Sequence, residues 1–232
     1  MVEALERVEN FVVKRNPAMV FTPNAELIVR SQSETDLAAV YRRADLVTID
    51  SYVAFYAARL LGLRMPEPVS AARLMVALLP IASSKKQKAF LLGAKPDVVA
   101  DVATKLNSDY PGIQIVGFRD GYFKPADESA LVAQIRDSGA DYLFVAMSTP
   151  FKERFISQHL EEMAVPVSIG VGGTFDILAG RTRFAPEWIS KLGLEWFYRF
   201  IQEPRRLWRR YLFTNLSFIG LVARALVTRN MS

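Results

Sequence analysis

Asp50 is the first residue whose type and position could do chemistry. It follows the apolar run DLVTI, which predicts a buried strand, and it precedes a predicted helix over residues 51–62. Open parallel sheets place their ligand sites at such junctions, outside the carboxyl ends of strands. The same carboxylate could also cap the helix by accepting a free backbone N–H. The two roles are compatible, and the local sequence does not choose between them.

Glycines mark the ends of several predicted strands, at Gly93, Gly117, Gly121, Gly170, Gly172 and Gly173. Glycine lets backbone N–H groups approach a phosphate and tolerates positive φ. Glycine turns also simply join strands to helices, and neither LLGAKP nor GVGGTF is a dinucleotide fingerprint or a P-loop. Asp176 comes directly after GVGGTF, where it could hold a ribose or sugar hydroxyl or be a solvated loop residue.

Positive charge is concentrated at the C-terminus. Six arginines and no acidic residue follow Glu203. The charge of these six arginines is larger than the net charge of +5 of the whole chain, so the rest of the chain has a net charge near −1. Arg199, Arg206 and Arg209 share one helical face if a helix continues past Pro204 or resumes there.

These three arginines could neutralise a diphosphate. No Asp-x-Asp pair, a common means of holding a divalent ion beside a diphosphate, occurs in the chain. We therefore expect no metal and no other cofactor, because converging guanidiniums can supply the positive charge instead. The alternative is a basic, solvated face against a membrane.

The scaffold for these residues is predicted by the spacing of apolar segments. Short apolar runs alternate with helical patterns, and the predicted strands cover 18–24, 45–49, 88–93, 113–117, 141–147 and 166–170. Crossovers of this length favour parallel pairing. The predicted class is α/β, with a Rossmann-like, mostly parallel sheet and helices on both faces. Helices are also predicted over 2–15 and, as one element, over 25–43.

Composition narrows the function classes. The chain has 232 residues, 51% of them hydrophobic and 23% charged, which indicates a folded protein. It has no cysteine and only His159, so disulfides, thiolate metal sites and multi-histidine clusters are excluded. The first ten residues do not resemble a signal peptide and no apolar window is long enough to span a bilayer, so we expect a cytoplasmic protein.

The tail predicts a second, small domain. The charge balance changes near Pro204, which divides a basic aromatic appendage, 204–232, from the main domain, 1–203. Arginines mixed with aromatics suit an anionic membrane surface or a phosphorylated ligand better than nucleic acid. The apolar residues expected at the membrane are Trp208, Tyr211, Leu212, Phe213, Phe218 and Ile219. The alternative is a helix docked on the body or in a homo-oligomer interface.

Several segments resemble a known family. These are TPNAELIV, YPGIQIVG with GYF, and above all GVGGTFDILAG followed by RFAPEWISKLGLEWFYRFIQEP. From about Val20 to Arg210 the sequence resembles the WecG/TagA/CpsF glycosyltransferases of bacterial cell-envelope polymer synthesis. The resemblance implies an inverting, metal-independent transfer from a UDP-sugar, typically UDP-N-acetylmannosamine. The implied acceptor is a polyprenyl-diphosphate-linked sugar on the inner face of the cell membrane.

The resemblance also implies roles for individual residues. Thr22 and Asn24 would line the pocket, and Asp50 would be the general base. The three arginines named above would belong to an appendage that closes over the donor diphosphate. Donor contacts are further expected at the glycine turns of Gly93, Gly172 and Gly173, and Asp176 and Tyr122 are candidates for the ribose or the uracil.

Departures from the family pattern cluster on the expected acceptor side. Pro68 stands in place of an arginine, Ala71 in place of a glycine, and Arg73 at an acidic position. Lys152 occupies the place of a pocket glutamine and is therefore a substrate-binding candidate, and Ser51 replaces the glycine after Asp50. The strands that usually precede the first helix are absent. We expect UDP-sugar binding with an altered sugar or acceptor, or alternatively a non-catalytic relative that binds a UDP-sugar or partners an active transferase.

Overall fold

A computed structural model describes the backbone of residues 1–230. It also describes their side chains, apart from those of Arg206, Arg209, Arg210, Tyr211, Leu212, Arg229 and Asn230. The strands are β1 Ala18–Phe21, β2 Leu46–Val47, β3 Lys88–Gly93, β4 Gln114–Arg119, β5 Tyr142–Ala146 and β6 Val167–Gly170.

Helices connect and follow these strands. The first seven are α1 Val2–Lys14, α2 Ala25–Arg30, α3 Thr35–Arg43, α4 Tyr52–Leu60, α5 Ala71–Ser84, α6 Pro96–Asp109 and α7 Glu128–Asp137, the last preceded by a 3₁₀ turn at Pro125–Asp127. The remaining five are α8 Phe151–Met163, α9 Thr174–Leu178, α10 Glu187–Lys191, α11 Glu195–Gln202 and α12 Pro204–Asn230.

The six strands form one sheet in the order β2-β1-β6-β5-β3-β4, and every neighbouring pair is parallel. The predicted α/β class is confirmed, and the sheet is wholly parallel. From β3 the chain crosses to β4 at one edge of the sheet, whereas from β5 it crosses to β6, toward the opposite edge. The junction of β3 and β5 is therefore a switch point, where open parallel sheets leave a crevice beyond their carboxyl ends.

Apolar residues cover both faces of the sheet. Alternate strand residues such as Phe90 and Leu143 pack with Val132 of α7 and Ile156 of α8. The residues between them, including Leu91, are also fully buried. Because successive strand side chains point to opposite faces, helices must cover both sides, as the near-continuous apolar strands predict.

The chain folds into two compact units, each made of separate segments. The first unit contains the sheet and comprises Met1–Phe21, Ala39–Val47 and Ala71–Arg183. The second comprises Thr22–Ala38, Thr48–Ser70 and the chain from Phe184 onward. The sequence-based division at Pro204 coincides with the start of α12, and its meaning as a domain boundary stays a prediction.

The single helix predicted over 25–43 is wrong, because α2 ends at Arg30 and α3 begins at Thr35. The intervening serines compete with the helical hydrogen bonds: Ser31 Oγ donates to the Leu27 carbonyl at 2.7 Å, and Ser33 Oγ donates to the Arg30 carbonyl at 3.3 Å. Such local side-chain bonds favour turns over continued helix.

The helix carrying Arg199 ends at Gln202, and a new helix begins at Pro204. A proline restricts the residue before it to extended conformations, and Glu203 has φ −134° and ψ 58°. Arg199 therefore lies on α11, while Arg206 and Arg209 lie on α12. Within the described chain, no helix has the length and apolar character needed to cross a membrane.

Candidate functional site

The second unit contains an open cavity with about 690 Å³ of empty space, the solvent at its mouth included. Its polar lining includes Asn24, Asp50, Glu195, Arg199, Thr214 and Asn215. Four segments distant in sequence therefore contribute to one pocket, and three of the residues predicted for the site, Asn24, Asp50 and Arg199, are brought together there.

Asp50 is held by its backbone. Its N–H donates to the Pro23 carbonyl at 3.2 Å, and the preceding Ile49 carbonyl accepts from the Val69 N–H at 2.9 Å. The Thr48 hydroxyl adds a bond of 2.8 Å to the Val69 carbonyl. The half-buried carboxylate thus lies on a segment fixed from two sides, which suits a group that must meet a substrate in one orientation.

Ser51, and not Asp50, caps the following helix. The Ser51 Oγ accepts from the Ala54 N–H at 3.4 Å, and α4 begins at Tyr52. The prediction that Asp50 could cap this helix is therefore wrong, because Ser51, the next residue, is the N-cap. The serine that departs from the family pattern has a structural role.

Asn24 combines two roles. Its Oδ1 accepts from the Leu27 N–H at 3.1 Å and caps α2, as the sequence predicted. Its side chain also lines the cavity, where the amide nitrogen can donate to a ligand. Thr22 is half-buried and does not belong to the cavity lining, so its contact with substrate stays a prediction.

Arg199 lines the cavity four residues after Glu195, on the same face of α11. Its guanidinium has no hydrogen bond or ion pair with any residue that the structure describes. An unpaired, half-buried guanidinium is a ready partner for a phosphate or carboxylate of a ligand. Arg206 and Arg209 belong to α12, and their side chains lie outside the described residues.

Gly193 forms part of the cavity wall between α10 and α11. Its φ is +74°, and a Cβ placed there would lie 3.2 Å from Val53 Cγ2, a second wall residue. Glycine is thus needed both for the left-handed turn that ends α10 and for the close approach to α4.

In the first unit, Gly93 ends β3 at the switch point. Its φ is +118°, and a Cβ there would collide with the Ala146 carbonyl oxygen at the end of β5. Gly121 is also close, since its own Cβ would meet Gly93 Cα at 3.2 Å. Close backbone packing alone therefore accounts for Gly93, and its contact with a donor stays a prediction.

The other donor candidates of the first unit follow β6 and β4. Gly172 has φ +53° with open space where a Cβ would be, and Gly173 precedes α9. Asp176 lies in the first turn of α9, not in a loop, and its carboxylate has no partner among the described side chains. Tyr122 is 72% exposed. All four roles stay predictions.

Lys152 is buried at the start of α8. Its ammonium bonds to the Thr149 hydroxyl and to Glu153 Oε1, each at 2.5 Å. Glu153 is 1% exposed and also accepts from the Tyr41 hydroxyl at 3.4 Å. The Lys152 stem packs on Gly170, where a Cβ would lie 3.1 Å from Cε. This lysine is therefore part of a buried ion pair, and its contact with substrate stays a prediction.

The sequence does not by itself identify Glu195, Thr214 and Asn215 of the cavity wall as site residues. Glu195 lies inside the family segment RFAPEWISKLGLEWFYRFIQEP, and the i, i+4 spacing predicts its place beside Arg199. Thr214 and Asn215 carried no such signal, because only the packing of α12 on α2 brings them to the pocket. Among the described side chains, no group of three or more potential metal ligands occurs.

Parallel α/β sheets, and pockets that combine a carboxylate with a guanidinium, are both common among enzymes that act on phosphorylated substrates. The fold and the cavity are compatible with such an enzyme. The chain belongs to the WecG/TagA/CpsF glycosyl transferase family, whose family model matches residues 1–232.

Two proteins similar to this chain have the same name. An N-acetylglucosaminyldiphosphoundecaprenol N-acetyl-beta-D-mannosaminyltransferase of Bacillus subtilis (strain 168) is 34% identical over 204 residues, which are 88% of this chain and 78% of that protein. The protein of the same name from Bacillus spizizenii (strain ATCC 23059 / NRRL B-14472 / W23) is 32% identical over 195 residues, 84% of this chain and 75% of that protein. Both names describe glycosyl transfer to a lipid-diphosphate-linked sugar.

Proposed function

We propose that this glycosyltransferase moves an N-acetylhexosamine, N-acetylmannosamine or a close isomer, from a UDP-sugar to a polyprenyl-diphosphate-linked saccharide. The observation that carries the proposal is the cavity in which Asp50 and Arg199 meet. The sugar class and the acceptor class follow the names of the two relatives. UDP as the carrier follows the family resemblance.

In the proposed reaction Asp50 accepts the proton of the acceptor hydroxyl. The oxygen attacks the anomeric carbon from the face opposite the diphosphate, which inverts the configuration. The bond from that carbon to the diphosphate oxygen breaks, and its electron pair leaves with UDP. A positioned base of this kind contributes about 10²–10⁴-fold to a rate.

Arg199 would stabilise the charge that develops on the departing diphosphate. The Arg199 guanidinium has no ion pair among the described side chains, which supports this role, because preorganised positive charge is most effective where negative charge grows in the transition state. Arg206 and Arg209 are proposed to share it, since six arginines and no acidic residue follow Glu203. The reaction is proposed to need no metal.

The acceptor lipid implies that the protein works at the inner face of the cell membrane. Exposed apolar residues of the second unit support this location, among them Trp188, Leu192, Ile201, Phe213, Leu216 and Ile219. Phe218 is an exception to the expected membrane residues, because it is only 6% exposed. Tyr211 and Leu212 lie outside the described side chains.

A transfer assay tests the proposed function. The wild-type protein is incubated with UDP-N-acetylmannosamine, UDP-N-acetylglucosamine or UDP-glucose and with a short-chain polyprenyl-diphosphate N-acetylglucosamine, and the extended lipid is measured by chromatography. We expect product with at least one UDP-N-acetylhexosamine. Binding of UDP without product from any pair would instead favour the non-catalytic alternative, which the substitutions at Pro68 and Lys152 also suggest.

A further inference from the structure

Three polar side chains of the cavity wall make no side-chain bond within the part of the chain that the structure describes. Glu195, Thr214 and Asn215 line the cavity, yet none forms a side-chain hydrogen bond or ion pair with any residue whose side chain the structure describes. Each is half-buried. Half-buried polar groups that the protein leaves unpaired are available to a ligand that brings matching groups.

Thr214 differs in this respect from Thr104 and Thr228. Thr104 donates to the Ala100 carbonyl at 3.1 Å, and Thr228, on the same helix as Thr214, donates to the Arg224 carbonyl at 3.1 Å. Bonding back to the preceding turn is the usual arrangement for a helical hydroxyl. Within the part of the chain that the structure describes, the Thr214 hydroxyl makes no such bond, so its donor and acceptor capacity is available to a ligand in the cavity.

The chemistry of the three groups is complementary to a sugar ring. A carboxylate accepts from ring hydroxyls, a threonine hydroxyl donates and accepts, and the asparagine amide can pair with an acetamido group through both its oxygen and its nitrogen. The Trp196 ring adds apolar surface to the same wall. Arg199 lies one turn from Glu195 and supplies the positive charge for an attached phosphate.

We propose that Glu195, Thr214 and Asn215 form the wall that recognises the substituents of a substrate pyranose, which Asp50 faces as the base. This deepens the proposed function and rests on it. The ring recognised is that of the donor or that of the acceptor, since both carry hydroxyl and acetamido groups in the proposed reaction. Specificity for an amide-bearing sugar would then come from α11 and α12.

The test uses near-isosteric variants of the full chain. Thr214→Val and Asn215→Leu remove the polar groups, and Glu195→Gln removes the charge. Thr228→Val is the matched control, because it removes a hydroxyl from the same helix outside the cavity. The KM values for donor and acceptor are measured separately, together with the melting temperature of each variant.

We expect kcat/KM to fall at least tenfold in Asn215→Leu and severalfold in Thr214→Val, with the melting temperature within about 2 °C of wild type. A tenfold loss corresponds to about 1.4 kcal/mol, within the range for one lost hydrogen bond to substrate. A rise of the KM for the donor alone, or for the acceptor alone, identifies the ring. Unchanged kcat/KM with both substrates, or an equal loss in Thr228→Val, overturns the proposal.

A binding measurement separates this proposal from the transfer reaction. If wild-type protein forms no product, the proposed function fails. Calorimetric binding of UDP-N-acetylhexosamines and of N-acetylglucosaminyl diphosphate then tests whether Glu195, Thr214 and Asn215 recognise a sugar. Weaker binding of one of these sugars by Asn215→Leu, with UDP itself bound as by wild type, supports the wall. Equal binding of both sugars by wild type and variant overturns it.

Discussion

Among single residues, Lys152 and Glu153 show how burial changes the meaning of a residue type. The sequence identifies Lys152 as a charged residue at a family pocket position, which favours a substrate contact. In the fold its ammonium is paired with Glu153, and both side chains are buried. The sequence alone could not reveal this burial, because Tyr41 and Gly170, which contact the pair, are remote from it in the chain.

Breaking this buried pair should destabilise the protein. Lys152→Met keeps the stem that packs on Gly170 but leaves the Glu153 carboxylate without its ammonium partner. We expect the free energy of unfolding to fall by about 3 kcal/mol, since removal of one partner of a buried pair leaves an uncompensated charge. Urea unfolding measures the change.

Two further variants make this prediction specific. Lys152→Met combined with Glu153→Gln should recover part of the loss, because no charge then remains unpaired. Lys105→Met, which removes an exposed pair with Asp109, should leave the unfolding midpoint close to that of wild type. Equal stability of Lys152→Met and wild type would show that the pair contributes little.

Tyr142 should make stability depend on alkaline pH. Its ring is fully buried in β5, and burial raises the pKa of its hydroxyl well above the usual value of 10.0. Below pH 10 the folded and unfolded states both hold the proton, so stability is unaffected. Above it the unfolded state loses a proton that the folded state keeps, so the free energy of unfolding falls as pH rises.

Comparison of wild type with Tyr142→Phe isolates this effect. The variant lacks the hydroxyl that donates to Gln87 Oε1 at 3.2 Å, so it should lose about 1 kcal/mol at neutral pH. Between pH 10 and 11.5 its stability should decline less steeply than that of wild type in urea titrations. Parallel declines in the two proteins would be inconsistent with a buried neutral tyrosine.

At the level of secondary-structure elements, the sequence predicts the features that depend on local signals and does not predict those that depend on long-range packing. The alternation of apolar runs and helices over 88–170 predicted β3 to β6 with α6 to α8, because amphipathic periodicity and proline at the first turn of α6 act within each segment. The break between α2 and α3 was missed because serine bonding to the backbone is hard to distinguish from a continuous helix. The cavity wall from α12 depends on packing against α2, for which the sequence carries no local signal.

Two short helices end in glycines that allow a matched comparison. Gly193 follows α10 and Gly180 follows α9, each with φ +74°, but a Cβ would meet Val53 only at Gly193. Gly193→Ala and Gly180→Ala should both lose about 1 kcal/mol of stability, because alanine is strained at positive φ. Urea unfolding measures both.

Only Gly193→Ala should also affect the cavity. The added methyl group presses on Val53, so we expect the KM for a substrate to rise severalfold in Gly193→Ala and to stay at the wild-type value in Gly180→Ala. Equal KM values in the two variants would mean that the turn after α10 does not shape the pocket.

For the whole molecule, the exposed apolar residues of α12 predict binding to a membrane surface. Trp208, Phe213 and Ile219 are 48%, 68% and 63% exposed, and six arginines occur in the sequence after Glu203. Replacing all three with serine should reduce co-sedimentation with phosphatidylglycerol vesicles at least tenfold, because apolar insertion and charge act together. Phe118→Ser removes an exposed aromatic from the first unit and should leave binding unchanged. Undiminished binding of the triple variant would contradict membrane contact through α12.

The division of the chain into two discontinuous units lay beyond prediction from sequence. Each unit is assembled from three segments, and the second gathers 22–38, 48–70 and the C-terminal region around the cavity. The pattern of apolar residues identifies elements but not which distant segments fold together. The family motifs nevertheless pointed to Asn24, Asp50 and Arg199, and these three residues line one pocket.

We propose that this cavity is the catalytic centre and that Asp50 is its base. The most direct measurement is acceptor-dependent UDP release by wild type, Asp50→Asn and the control Asp137→Asn, whose carboxylate is exposed and outside the cavity. We predict a fall in kcat of about 10²–10⁴-fold for Asp50→Asn alone, with UDP affinity close to that of wild type. Release by Asp50→Asn at more than about a tenth of the wild-type rate would contradict the claim.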